Sequence, residues 1–511
     1  MNVKKQHIVL IIIAALFVGF LGGYIGYKTM DPNESAKQQT TDDGSENNDA
    51  QQNENDENSE TNNDENSETN NDSNDAEDDV PEYMSKVVQA YGLIKENYVE
   101  DVEEDDLIEG AIQGMLETLD DPYSEYMDIE TVGQFNEQLE SSFEGIGAEV
   151  SMVDGKVTII APIKDSPAEE ASLRPNDQII SIDQEDIDGL DLQEAVDKIR
   201  GEKGSEVTLE IERPGVKDTF EVTLVRDEIP VETVYSELES IDGHQTGYLE
   251  ITSFSEETAE EFAEELEALE NEGIEGLTID VRGNPGGYLE AVEDILANFV
   301  PKDIPYMQIE NKEGEKQPFY STLDEKKSYP INILVDEGSA SASEILAVAL
   351  QELEYDVVGK TSYGKGTVQQ AVPLGDGSTI KLTIYRWLSP NGVSINETGV
   401  EPTVEKEQPD YYYSHPIRVE DDSYKLDDTD EQIENIQIIL NGLGYETDRV
   451  DGHFDETTEK AVTDFQEDED LDVTGEVNEE TGGHLESMII EKIRNGEDDE
   501  QLEEAFKSLY K

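Results

Sequence analysis

The sequence predicts a multidomain chain of α/β and α+β type. In order it carries an N-terminal transmembrane helix, a helical segment, a short-strand domain, an α/β core and a small helical C-terminal module. Three observations predict this. The 511 residues are enough for three or more domains. The apolar pattern changes period along the chain, from helical faces to short strands, then to alternating strands and helices, and back to helices. A densely polar stretch and a polar connector divide these regions.

Lys4 and Lys5 precede an apolar run at 8–27, about the 20 residues a spanning helix needs. Basic residues before the run and acidic ones after it predict a single-pass anchor in the cell membrane, residues 1–30, with the bulk of the chain extracytoplasmic. Its uninterrupted length, without a small-x-small cleavage pattern, favours an anchor over a cleaved signal peptide. Residues 31–80 are Asn, Asp, Glu, Ser and Thr with few apolar side chains, and one eight-residue unit at 55–62 recurs at 63–70. Such a stretch cannot bury enough surface to offset its ordering entropy, so it reads as a disordered acidic linker.

Residues 81–135 read as helical. Val87, Val88, Tyr91, Ile94 and Tyr98 share one face; Leu107, Ile108, Ile112, Met115 and Leu116 share another. Leu119-Asp120-Asp121-Pro122-Tyr123-Ser124 then stops the second helix, because Pro122 disfavours helical geometry at Asp121. Residues 136–228 turn to short strands at 157–160, 178–182 and 207–211 around one helix at 192–199. Residues 229–407 alternate strands at 246–251, 277–281 and 331–335 with helices at 257–271, after Gly287 and at 344–353. Residues 408–428, with tyrosines at 411, 412 and 413, read as a connector. Residues 429–511 read as a helical module ending in one helix over 485–510, acidic outside and suited to pairing with a second subunit.

Composition excludes several functions. With 125 acidic residues against 34 basic ones, the net charge is −91, which leaves no basic footprint for nucleic acid. Self-repulsion on that scale points to salt-rich surroundings, where screening is short-ranged. There is no cysteine, so thiol catalysis, disulfides and thiolate metal sites are excluded. The five histidines, at 7, 244, 415, 453 and 484, form no metal-like cluster, and neither a metal nor a cofactor is expected.

Chemistry concentrates in two stretches. In Val335-Asp336-Glu337-Gly338-Ser339-Ala340-Ser341-Ala342-Ser343-Glu344, small residues join a strand to a helix. Free N–H groups and the dipole at such a helix mouth favour the negative charge of a tetrahedral intermediate. Ser339 or Ser343 could equally serve as the helix N-cap. Tyr363-Gly364-Lys365-Gly366-Thr367-Val368-Gln369 supplies a lysine between glycines. A serine beside a lysine of lowered pKa is a nucleophile–base pair, which points to serine–lysine peptidase chemistry. Lys360 lacks the glycine flanks, and only His244 lies inside the predicted core, so a histidine-based triad is disfavoured.

These stretches, with Gly114-Met115, the 119–124 motif, Phe143-Glu144-Gly145-Ile146-Gly147 and Asp280-Val281-Arg282-Gly283-Asn284-Pro285-Gly286-Gly287, resemble the carboxyl-terminal processing proteases, a serine peptidase family, over residues 84–405. The resemblance implies Ser341 as nucleophile, Lys365 as base and Gln369 as the residue that orients it. It also implies an oxyanion hole from the N–H of Ala342 and that of Gly286 or Gly287, leaving both glycines open. One departure is a Ser341-to-Lys365 gap one residue shorter than the family pattern, placed in the turn near 352–355. Residues 136–228 resemble a PDZ domain. Phe143, Gly145, Ile146 and Gly147 fit its carboxylate-capturing loop, Arg200 is a candidate sensor of bound peptide, and Ser172 and Asn176 stand where glycines are usual. The segments 433–440, 443–445, 450–454 and 461–466 resemble the peptidoglycan-binding type 1 module. The partners implied are protein substrates held by their C-terminal segments, the membrane, peptidoglycan and a second copy of the chain. The alternative of another class is a non-catalytic scaffold joining membrane, cell wall and a peptide ligand. A crotonase-type small-molecule enzyme would need a nucleotide-phosphate loop that the sequence lacks.

Overall fold

The computed structural model describes residues 82–511 apart from 154, 165, 188, 218, 420 and 421. The apolar run 8–27 and the acidic stretch 31–80 lie outside the described residues. Among the described residues no helix is long and apolar enough to cross a membrane.

The chain divides into two compact units. One contains helices α1 (Ser85–Asn97) and α2 (Glu104–Glu117). Glu104, Asp105 and Asp106 fill the first turn of α2, where negative charge suits the dipole. The apolar face read for α1 is helical but uncovered: Val87, Val88, Ile94 and Tyr98 are all exposed.

The second unit begins with the 119–124 turn, followed by β1 (Glu125–Met127) and α3 (Ile129–Leu139), capped by Asp128. Next come β2 (Ser142–Gly145), β3 (Ala148–Val153), β4 (Lys156–Pro162), α4 (Pro167–Glu170), β5 (Gln178–Ile182), β6 (Glu185–Asp186), α5 (Leu192–Ile199), β7 (Glu206–Glu212), β8 (Phe220–Val225) and β9 (Asp227–Pro230). The main sheet runs β3-β4-β5-β7-β8, and β2 pairs separately with β9. Alternating apolar residues such as Val207, Leu209 and Ile211 point inward to a core shared with Ala195 and Ile199 of α5. A capping box of Asp191 and Glu194 starts α5. Strand β3 is an edge, with no strand on its outer side among the described residues. Ser172 and Asn176 take φ values of 59° and 69°, the left-handed conformation a glycine would adopt without strain.

The core contains β10 (Val234–Ile241), β11 (His244–Ile251), α6 (Thr258–Glu272), β12 (Gly276–Asp280), α7 (Leu289–Leu296), β13 (Pro305–Glu310), β14 (Lys316–Tyr320), β15 (Ile331–Val335), α8 (Ala342–Glu352), β16 (Asp356–Gly359), β17 (Thr367–Pro373), β18 (Thr379–Leu388) and β19 (Val404–Glu405). One sheet runs β10-β11-β12-β15-β16-β19, parallel from β11 onward. Every residue of β12 and β15 is buried, as the middle of a parallel sheet requires. Ile331, Ile333 and Val335 pack with α6, α7 and α8 on one face. A second, antiparallel sheet of β1, β18, β13 and β14, with β17 on β18, has no counterpart in the sequence reading.

A 3-10 turn (Asp410–Tyr413) leads to α9 (Glu431–Leu443), α10 (Glu456–Asp468), α11 (Glu479–Arg494) and α12 (Glu500–Ser508). The connector is not slack: Tyr411 enters the apolar core of the α9–α11 module, and a Cβ on Gly442 would lie 2.7 Å from its ring. Helix α12, for which the sequence suggested a subunit contact, lies on the other face of the parallel sheet. There Leu334 and Val358 pack with Ala505 and Leu502, and the Asn332 side chain donates to Ser508 Oγ at 2.8 Å.

Candidate active site

Ser341 follows β15 at the N-cap of α8 with φ 54° and ψ −110°, a strained conformation for an L residue. The hydroxyls of its neighbours are committed. Ser339 Oγ donates to the Val281 carbonyl at 2.7 Å and Ser343 Oγ to that of Asn284 at 2.9 Å, and both residues are fully buried. The Ser341 hydroxyl donates to no group among the described residues, so it alone of the three is free to react.

Two loops are sewn to this turn. Asp336 accepts the N–H groups of Gly283 at 2.8 Å and Gly338 at 2.9 Å, and the Asn284 carbonyl accepts Ala340 N–H at 3.0 Å. The 280–287 turn is thereby pressed against Ser341. A Cβ on Gly286, whose φ is 102°, would lie 2.8 Å from Ser341 Cβ and 3.0 Å from Ala342 N, so only glycine fits. Gly286 N–H is already donated to Asn284 Oδ1 at 2.8 Å. Gly287 N–H has no acceptor among the described residues, and Ala342 N–H, at the first position of α8, has none within the helix.

Glu344 brings in the second loop. It is fully buried, and its Oε2 accepts the backbone N–H of Ser341 and that of Lys365, each at 2.8 Å. Those two nitrogens are therefore no farther apart than twice that distance. Its Oε1 accepts Ser362 Oγ–H and Gly364 N–H, both at 2.6 Å. Burial pushes its carboxyl up, while these donors hold it down. Four donors around two oxygens demand a carboxylate, since an acid proton would face a donor.

Lys365 emerges between Gly364, with φ 93°, and Gly366, and its carbonyl accepts Trp387 Nε1–H at 2.9 Å. Burial lowers its pKa; Lys381 adds to the effect, and Glu344, Asp121 and Glu125 oppose it. Its amine lies over the Tyr123 ring, 4.9 Å from the centroid. No hydrogen bond joins it to Ser341 Oγ among the described residues. Gln369, after a bulge in β17, donates to Thr367 Oγ1 at 2.9 Å and Thr383 Oγ1 at 3.0 Å rather than to Lys365. Lys360 is paired with Glu337 and sits over Tyr413, and the Glu337 hydrogen bond, more than burial opposes it, raises its pKa, which unfits it as a base. His244 stacks on Tyr510 at the start of β11, the end of the parallel sheet opposite Ser341. Among the described residues no three His, Cys, Asp or Glu side chains gather to hold a metal ion.

In the short-strand domain, Arg200 Cζ lies 5.2 Å from the Phe143 ring centroid, and Gly145 abuts that ring. Gly147 has φ 70°, and a Cβ there would lie 2.3 Å from Ser166 Cβ. Ile146 is a core residue, so only its backbone faces a ligand. Sequence reasoning missed Glu344, Asp336, Asn284 and Tyr123 as site residues. The Ser341-x-x-Glu344 capping pattern was the available signal for the first.

Residues 245–406 match the profile of peptidase family S41. Residues 145–224 match a PDZ domain, 16–131 the N-terminal domain of the activating protease CtpB, and 429–485 a peptidoglycan binding domain. The chain is 52% identical over 436 residues to the carboxy-terminal processing protease CtpB of Bacillus subtilis, covering 85% of this chain and 91% of that protein. It is 41% identical over 427 residues to CtpA of the same organism, covering 83% and 90%. The solved structure of the photosystem II D1 C-terminal processing protease aligns with 26% identity and a TM-score of 0.40, covering 64% of this chain and 94% of that one.

Proposed function

Since this chain belongs to the carboxy-terminal processing proteases of peptidase family S41, we propose that Ser341 is its nucleophile, Lys365 its general base, and the N–H groups of Ala342 and Gly287 its oxyanion hole. The chain is a serine-type peptidase with a PDZ domain. One observation carries the residue assignment: within the three-serine turn, only the Ser341 hydroxyl donates to no group among the described residues, while Glu344 holds the Ser341 and Lys365 backbones side by side.

In the reaction, the neutral Lys365 amine takes the Ser341 proton as Oγ attacks the scissile carbonyl. The two N–H groups receive the oxyanion. On collapse, Lys365 returns the proton to the leaving amine, and water then hydrolyses the acyl-enzyme. The neutral amide of Gln369 leaves Lys365 without a carboxylate partner on β17, which favours the free base. Substrates enter by a C-terminal segment added to the open edge of β3, its carboxylate at the 145–147 loop. The 8–27 run tethers the enzyme outside the cytoplasm, the α9–α11 module meets peptidoglycan, and a second copy covers the apolar face of α1.

Replacing Ser341 or Lys365 by Ala should abolish cleavage of an unfolded protein with circular dichroism unchanged. A serine-reactive phosphonate should label the parent chain and not S341A. Full activity in both variants overturns the assignment.

A further inference from the structure

In the sequence the 119–124 turn reads as a helix stop; in the structure it is fastened to the sheet that follows Lys365. Ser124 Oγ accepts Thr383 N–H of β18 at 3.0 Å. Asp121 accepts Ser124 Oγ–H at 2.6 Å and Tyr123 N–H at 3.1 Å. These bonds set the half-buried Tyr123 so that the Lys365 amine lies over its ring, 4.9 Å from the centroid. The Tyr123 hydroxyl is 3.5 Å from that of Tyr363. Burial, with Tyr363 adding to it, raises the phenol's pKa, so it stays a neutral phenol.

An aromatic face is an apolar wall toward a neutral amine and an attractive quadrupole toward an ammonium. Lys365 passes from the first state to the second as the proton leaves Ser341 Oγ and the Oγ–C bond forms. It passes back when the scissile C–N bond breaks and the amine nitrogen takes the proton. Only an interaction stronger after that transfer than before it accelerates the step. Resting on the reading of Lys365 as general base, we propose that Tyr123 stabilises the ammonium form of Lys365 that arises during catalysis. Tyr123 itself neither gives nor takes a proton.

The carboxylates around that amine favour its ammonium form only from a distance, and the ring is the group it lies against. Lys381 on β18 is paired with Glu125 on β1, Glu344 on α8 is engaged by four donors, and Asp121 is engaged by its own turn. None of them hydrogen-bonds to Lys365 Nζ among the described residues.

The test is the pH dependence of kcat and kcat/KM for the full chain on an unfolded protein substrate, in Y123F, Y123L and K365A. Phenylalanine keeps the ring and should keep the acid limb of the parent. Leucine keeps an apolar wall without the quadrupole. It should lower the plateau kcat roughly three- to tenfold and move the acid limb to lower pH, with KM little changed. A Y123L enzyme slowed with its limb unmoved shows a packing role and overturns the proposal, as does a limb that moves equally in Y123F. If a thermal melt shows Y123L unfolded, Y123M is read by the same criteria. Activity retained in K365A would defeat the assignment of the base itself, a different outcome from an unmoved limb with K365A inactive.

Discussion

Glu344 spends both carboxylate oxygens on backbone and hydroxyl donors from two loops, and that fixes what a single substitution there does. Glu344→Gln keeps the shape and turns one acceptor into a donor, leaving about two of its four donors buried without a partner. Each costs roughly 1–3 kcal/mol. The expected outcome is a lower melting temperature and a kcat reduced at least about tenfold, with KM less affected; steady-state kinetics and phosphonate labelling check it. Ser341 and Lys365 could be proposed from the sequence because glycine and small residues flank each in an order few other folds need. Glu344 was legible only as the start of a helix, since nothing local says that its oxygens serve a loop 20 residues away. Tyr123 was legible only as part of the 119–124 helix stop: its contact with Lys365 crosses more than two hundred residues.

At the scale of elements, strands β12 and β15 could be read because both faces are buried and apolar residues run unbroken. The second sheet could not. Lys316-Gln317-Pro318 and Gln369-Gln370 are polar and partly exposed, and their register is set by β13 and β18 rather than by their own pattern. The helix read as continuous over 485–510 breaks at 495–499, and its second part, α12, is a layer of the core rather than an outer face. Its cap, Asp499, makes a two-pronged pair with Arg282, at 3.0 and 2.9 Å, and Arg282 also grips Asp280 at the base of the 280–287 turn. Burial pushes the Asp499 carboxyl up, but Arg282 holds it below the usual carboxylate range. Asp499→Ala leaves Arg282 paired with Asp280 alone and Leu502 N–H without its cap, and should cost roughly 1–3 kcal/mol. Denaturant unfolding should register that loss together with a fall in kcat, and an unchanged midpoint would show that α12 is dispensable to the turn.

Over the whole molecule, charge governs stability. We expect the surplus behind the −91 net charge to make the melting temperature climb between 0.01 and 1 M NaCl, as the screening length falls from about 30 Å to about 3 Å. A flat dependence would remove the case for salt-rich surroundings. A more local effect links β3 of the PDZ domain to α11. Glu149 is buried, neither of its carboxylate oxygens has a hydrogen-bond partner, and burial, opposed by Arg494, pushes its pKa from 4.5 to about 7. A raised carboxyl stabilises the fold fully below its unfolded value and loses that contribution as pH rises through about 7. The melting temperature of the parent relative to E149Q should therefore fall from pH 4.5 to 7 and level off above; parallel profiles would refute it. The seat of α12 on the parallel sheet also bears on biosynthesis. Thr246 bonds to Tyr510 across 264 residues, and Arg282 to Asp499 across 217. A nascent chain that has already made β11, β12 and the Ser341 turn still lacks the layer that covers the sheet. Helix α12 follows the α9–α11 module in the chain, so this layer can close over the sheet only after that whole module has been synthesised.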